Sequence, residues 1–73
     1  MSKVFYRKLG KQIKKLREEK GWTQQYLSEL AGIDDKFLGN VERAARKPSM
    51  DTVIKIAKAL DVEPWQMIKF DIR

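Results

Sequence analysis

Asp34 and Asp35 stand side by side in the middle of this 73-residue chain. Neighbouring carboxylates are the starting material of metal sites and of acid–base catalysis, but here they point to neither. Adjacent positions aim in different directions, and no third ligand follows at a useful spacing. The chain has no histidine and no cysteine. That removes the commonest general base, the commonest transition-metal ligand, and any thiolate or disulfide. The sequence reads as a non-enzyme without metal or cofactor.

The chemistry left is charge and hydrogen bonding. Sixteen Lys and Arg stand against ten Asp and Glu, giving a net charge of +6 and a pI of about 9.8. In a domain this small, that excess favours a polyanionic partner. The charge is unevenly spread. Residues 1–20 carry eight basic and two acidic side chains. Residues 21–42 carry Lys36 against Glu29, Asp34, Asp35 and Glu42, and residues 43–49 add Arg43, Arg46 and Lys47. An acidic middle is flanked by basic segments, which is awkward for a simple polyanion binder.

Short helices must position these groups. Thr23 can cap one, since its side-chain oxygen accepts an N–H that a first turn leaves free. Tyr26, Leu27, Leu30 and Ala31 then recur on one helical face. Gly32 suits a left-handed stop. Asp34 can cap the next helix, along which Phe37, Leu38 and Val41 repeat the apolar spacing. Helices this short must cross, share a core with others, and leave one face of the second exposed. That face should carry Asp35, Lys36, Gly39, Asn40 and Arg43.

The flanking segments read as the rest of an all-α domain of five helices, residues 1–73. The spacing predicts a helix over Lys3 to Lys20 with Phe5 or Tyr6, Leu9, Ile13 and Leu16 inward. Lys8, Lys11, Lys14, Lys15 and Glu18 fall mostly on solvated faces. Gly21 ends this helix, and Trp22 covers the corner that follows. Pro48 stops any continuation of the third helix. Ser49 can cap a fourth, with Val53, Ile54, Ile56, Ala57 and Leu60 as a wide core face. Pro64 suits the first position of a short fifth helix, to about Ile68. The tail, with Trp65, Met67, Ile68, Phe70 and Ile72, is apolar enough to fold back on the core or to meet another subunit. No apolar run is long enough to span a bilayer, and the start lacks a signal-peptide core. A cytoplasmic protein without a membrane partner is expected.

Gly21-x-Thr23-Gln24, Leu27-x-x-x-Ala31-Gly32-Ile33, Val41-Glu42-Arg43 and Lys47-Pro48-Ser49 occur in order. Together they resemble the phage-repressor/Cro-type helix-turn-helix, the lambda-repressor-like DNA-binding domain, from about Leu9 to about Trp65. The resemblance implies a transcriptional regulator that binds double-stranded DNA sequence-specifically, helices 2 and 3 forming the motif. It also implies a homodimer on a palindromic operator, since one motif reads about half a site. Asp35, Lys36 and Asn40 match base-reading positions of the helix that enters the major groove. Thr23, Gln24, Gln25, Phe37, Arg43, Arg46 and Lys47 match phosphate-side positions, Gln24 also bracing the third helix. Arg17 and Glu42 match a structural ion pair.

The dimer contact is expected on Trp65, Met67, Ile68 and Phe70. Ala44 stands where the family usually has glycine. Alanine disfavours a left-handed stop, so the third helix is expected to run on towards Arg46 or to end by another geometry. Small family members include phage repressors, restriction–modification controller proteins and antitoxins. The acidic start of helix 3 and the apolar tail leave one alternative open: an interaction module, such as an antitoxin, whose main contact is a partner protein.

Overall fold

Three of the five helices begin where a Thr, Asp or Ser side chain accepts a free N–H, and four are followed by a residue in the left-handed region. The computed structural model describes residues 3–69. It places α1 at Lys3–Glu19, α2 at Gln24–Ala31, α3 at Asp35–Glu42, α4 at Met50–Ala59 and α5 at Pro64–Met67. Thr23 Oγ1 accepts from Tyr26 N–H at 3.0 Å, Asp34 Oδ2 from Phe37 N–H at 3.2 Å, and Ser49 Oγ from Thr52 N–H at 3.1 Å. Pro64 opens α5, where Gln66 Oε1 accepts from Glu63 N–H at 2.7 Å.

The end of α3 corrects an expectation. Ala44 adopts φ 61°, so the left-handed stop is made by alanine and the helix does not run on. Two backbone bonds hold it. Ala44 N–H donates to Val41 O at 3.0 Å and Ala45 N–H to Asn40 O at 2.7 Å, the paired bonds of a Schellman motif. The turn also brings Pro48 back into a groove with Phe5, Tyr6 and Leu9. Left-handed backbone costs an alanine roughly 1–2 kcal/mol. Ala44→Gly should therefore raise stability. Glycine's greater unfolded-state freedom gives back roughly 0.4–1 kcal/mol, leaving a gain of about 0.5–1 kcal/mol, readable as a higher urea midpoint at unchanged slope.

The core is built from every helix. Leu9 and Ile13 come from α1, Leu27 and Ala31 from α2, and Leu38 and Val41 from α3. Val53, Ile56, Ala57 and Leu60 come from α4 and its end, and Met67 from α5. Packing runs α1 on α3, α2 on α3 and α4, and α5 on α4 and α1. Four positions differ in burial from expectation. Tyr26 and Leu30 are exposed. The narrow buried face of α2 is instead Leu27, Ser28 and Ala31, with the Ser28 hydroxyl satisfied by Gln25 O at 2.8 Å. Met67 is 0% exposed, so it is a core side chain and not part of a surface for a second subunit. Gly39 is on the outer face of α3 as expected, but is buried there beneath the Arg43 and Gln24 side chains. Phe70 and Ile72 lie outside the described residues.

Helices α1 and α3 cross at Gly10. A Cβ there would lie 2.5 Å from Glu42 O and 2.6 Å from Val41 O. Glycine costs a helix interior about 1 kcal/mol against alanine. At this position it lets two backbones touch. The contact fixes where α3 ends, and so how its outer face is presented.

Candidate nucleic-acid interface

One buried polar network sets the motif. Arg17 donates from Nε to Glu42 Oε2 at 2.8 Å and from Nη2 to Glu42 Oε1 at 3.0 Å, a bidentate pair. Its Nη1 donates to Trp22 O at 2.7 Å. Gln24 Nε2 donates to Glu42 Oε1 at 2.9 Å. The end of α1, the corner at Trp22, the start of α2 and the end of α3 are thereby joined through one carboxylate. The hydrogen bonds that Arg17 donates to Glu42 raise the guanidinium pKa above the ordinary arginine value, against the opposing effect of burial. Among the described residues, no buried side-chain nitrogen or oxygen is left without a partner.

This network resolves the awkward charge balance. Glu42 is buried and paired, and Asp34 is spent on a cap. Asp35 sits in the first turn of α3, where the helix dipole favours an anion. Only Lys36 and Asp35 remain as exposed charges on the first turn of α3. Glu42 and Asp34 thus serve the fold, while Asp35 lines the outer face of α3 and Glu29 is exposed on α2.

The outer face of α3 gathers the expected readers. Asp35, Lys36, Gly39, Asn40 and Arg43 line one open depression together with Gln24 from α2. Asp35, Lys36 and Arg43 are exposed, and Asn40 is half-buried. Thr23 and Gln25 are exposed at the start of α2, where free N–H groups and partial positive charge suit an anion. Phe37 is half-buried against the core, and the Arg46 guanidinium stands 5.7 Å from its ring centroid. The Lys47 ammonium stands 5.5 Å from the ring centroid of Tyr6. Arg46 and Lys47 are thus steadied by aromatic faces.

A second depression brings in two residues that sequence reasoning missed. Lys3 and Arg7 of α1 line it with Tyr6, Arg43, Ala44, Ala45 and Lys47. Among the described residues, four basic side chains contribute to it and no acidic one does. The signal was available in Gly10. It lies three residues after Arg7 and seven after Lys3, on one helical face. A face that touches the end of α3 at Gly10 must carry Lys3 and Arg7 past the loop that follows α3. No described helix is long and apolar enough to cross a membrane.

Comparison with known proteins agrees with this geometry. The family profile described as helix-turn-helix matches residues 13–64. The HTH-type transcriptional regulator SutR of Escherichia coli is 38% identical over 54 residues, which make up 74% of this chain and 30% of that protein. SinR of Bacillus subtilis, another HTH-type transcriptional regulator, is 36% identical over 74% of this chain and 50% of its own length. This chain therefore spans half or less of those two relatives. A solved structure is similar over nearly its whole length: the restriction-modification controller protein C.AhdI from Aeromonas hydrophila. It is 39% identical, with a TM-score of 0.84 over 85% of this chain and 94% of that one. The ordered motif, the five-helix architecture and these matches agree, and the chain belongs to the helix-turn-helix family of DNA-binding transcriptional regulators.

Proposed function

We propose that this chain binds a palindromic operator in double-stranded DNA as a homodimer, with α3 in the major groove. The observation that carries this reading is the single depression holding Gln24, Asp35, Lys36, Asn40 and Arg43, braced from behind by the buried Arg17–Glu42–Gln24 network. The major groove admits a helix and shows each base pair a distinct pattern of donors and acceptors. Lys36 can donate to guanine, Asp35 can accept from cytosine, and Asn40 can pair with adenine. Thr23, Gln24, Gln25, Phe37, Arg46 and Lys47 hold the phosphates that fix the register. Selection of sites from random duplex DNA tests it. A consensus of two dyad-related half-sites is expected, altered at defined positions by joint replacement of Asp35 and Lys36. A consensus unmoved by that replacement would remove α3 from the reading role.

The depression at Lys3 and Arg7 extends the backbone contact onto α1. Lys3→Gln and Arg7→Gln should each weaken binding to all duplexes alike. Each should also make the slope of log affinity against log salt shallower by about 0.9, the effect of losing one phosphate contact. The consensus should not move.

The second copy is best accommodated near α5. Trp65 is 56% exposed and Ile68 39% exposed, and Ile68 shares an apolar groove with Phe5, Tyr6, Pro48 and Met50. Ile68→Glu is expected to convert a dimer to a monomer in sedimentation equilibrium and to weaken operator binding. An unchanged mass would exclude that surface.

A further inference from the structure

Arg43 lines the depression on the outer face of α3, which Arg46 and Lys47 do not, as well as the basic depression it shares with Lys47. Its Nη2 donates to Asn40 Oδ1 at 2.7 Å, one turn back along α3. Its Nη1 lies 3.2 Å from where a Cβ on Gly39 would be, and Gln24 Oε1 lies 3.2 Å from the same point. The guanidinium is therefore laid back over the outer surface of α3. A side chain at residue 39 would crowd it there. Arg46 and Lys47 rest instead against the rings of Phe37 and Tyr6.

These positions bear on what Arg43 and Asn40 can do. A phosphate contact needs only a positive charge near the backbone. A planar fork set over the reading face, with its rotation held by an amide oxygen, suits the two acceptors O6 and N7 of one guanine. The same bond engages the carbonyl of Asn40. A bidentate pair with adenine needs both that carbonyl and the amide NH₂, so the contact draws Asn40 away from reading and towards holding Arg43.

We propose that Arg43 reads a guanine in each half-site, with Asn40 as its positioning residue and Gly39 as the seat that lets it lie flat. This rests on the major-groove placement of α3 proposed above. It also moves Arg43 from the phosphate side to the base-reading side.

Site selection with four variants, followed by salt titration of the winning duplexes, tests it. Arg43→Lys keeps the charge and loses the fork. It should lose on the order of 10- to 100-fold in discrimination at one guanine per half-site, with the other positions and the salt slope unchanged. Gly39→Ala should weaken preference at the same guanine, because the new Cβ crowds the guanidinium out of its position by a few tenths of an ångström. Asn40→Ala should do likewise, and Asn40→Asp, which keeps the acceptor, should restore the guanine preference at lower overall affinity.

Retention of the full consensus by Arg43→Lys, with the guanine intact, would overturn the proposal and leave Arg43 a phosphate contact. Loss of an adenine elsewhere in the site on Asn40→Ala, restored by neither variant, would also overturn it. Absence of any consensus with the unaltered protein would instead remove the operator reading on which it rests. Thermal melting accompanies each variant, and melts like that of the unaltered protein are expected for Arg43→Lys, since Arg43 is exposed.

Discussion

Glu42→Ala is expected to cost about 3–5 kcal/mol, the cost of breaking a buried ion pair by removing one partner. A single core of this size supplies only about 3–5 kcal/mol in total, so the variant should be largely unfolded at room temperature. The reason is the position of Arg17. Without Glu42, the buried guanidinium keeps only its bond to Trp22 O, and Gln24 loses its partner as well. The intact pair need not be a large net stabiliser, because both charges were taken out of water to form it. Arg17→Met combined with Glu42→Leu should therefore recover most of the loss. Urea melts of the two single variants and the double variant check this; a Glu42→Ala cost below about 1 kcal/mol would mean the pair is not desolvated as described. The sign with pH is clear for Arg17. Its pKa is raised in the fold, so its contribution is complete throughout the neutral range and is lost only in strong base.

Gly10→Ala should be the second severe change. The added carbon would meet Glu42 O, Val41 O and the Glu42 carbonyl carbon, the last at 2.9 Å. These are backbone atoms and cannot swing aside, so α1 and α3 must separate. Overpacking costs about 1–3 kcal/mol, and occasionally more. A contact with backbone belongs at the upper end. Alanine's better helix propensity returns about 1 kcal/mol, so a net loss of about 2 kcal/mol is expected. DNA affinity should fall by more than the loss of folded protein explains, since the displaced α3 carries the Glu42 brace with it. Lys11→Ala, one residue along on an exposed face, is the control and should change stability by less than about 0.5 kcal/mol. A Gly10→Ala protein as stable as the parent would show that the helices do not cross so closely.

These two residues also mark what could be read before folding. The ends of the helices were legible because caps are local. Thr23, Asp34, Ser49 and Pro64 act within one turn of themselves. The Arg17–Glu42 pair was legible only through resemblance, since nothing local links residues 25 positions apart. Gly10 passed unnoticed because a glycine inside a helical stripe leaves no periodic trace. Its meaning lies in the approach of a second backbone. Ala44 misled for the opposite reason: the local penalty is real, and two Schellman bonds with the return of Pro48 outweigh it. Tyr26 and Leu30 fitted a helical stripe but lie outside the narrow arc that α2 turns towards α3 and α4. Met67 looked like surface because the tail is apolar, and among the described tail residues it is the one turned fully inward. Asp35, Lys36, Asn40 and Arg43 were expected on one face from spacing alone. The bond between Asn40 and Arg43, and the seat at Gly39, required coordinates.

The most direct measurement is a titration of the selected duplex and a scrambled duplex of the same length, at the same series of salt concentrations. If α3 reads bases, the selected duplex should bind at least about 10³-fold tighter. Affinity for both should fall linearly on a log–log plot as counterions are released from the phosphates. Equal affinity for the two duplexes, vanishing together as salt rises, would contradict sequence reading by α3 and turn the search to a protein partner.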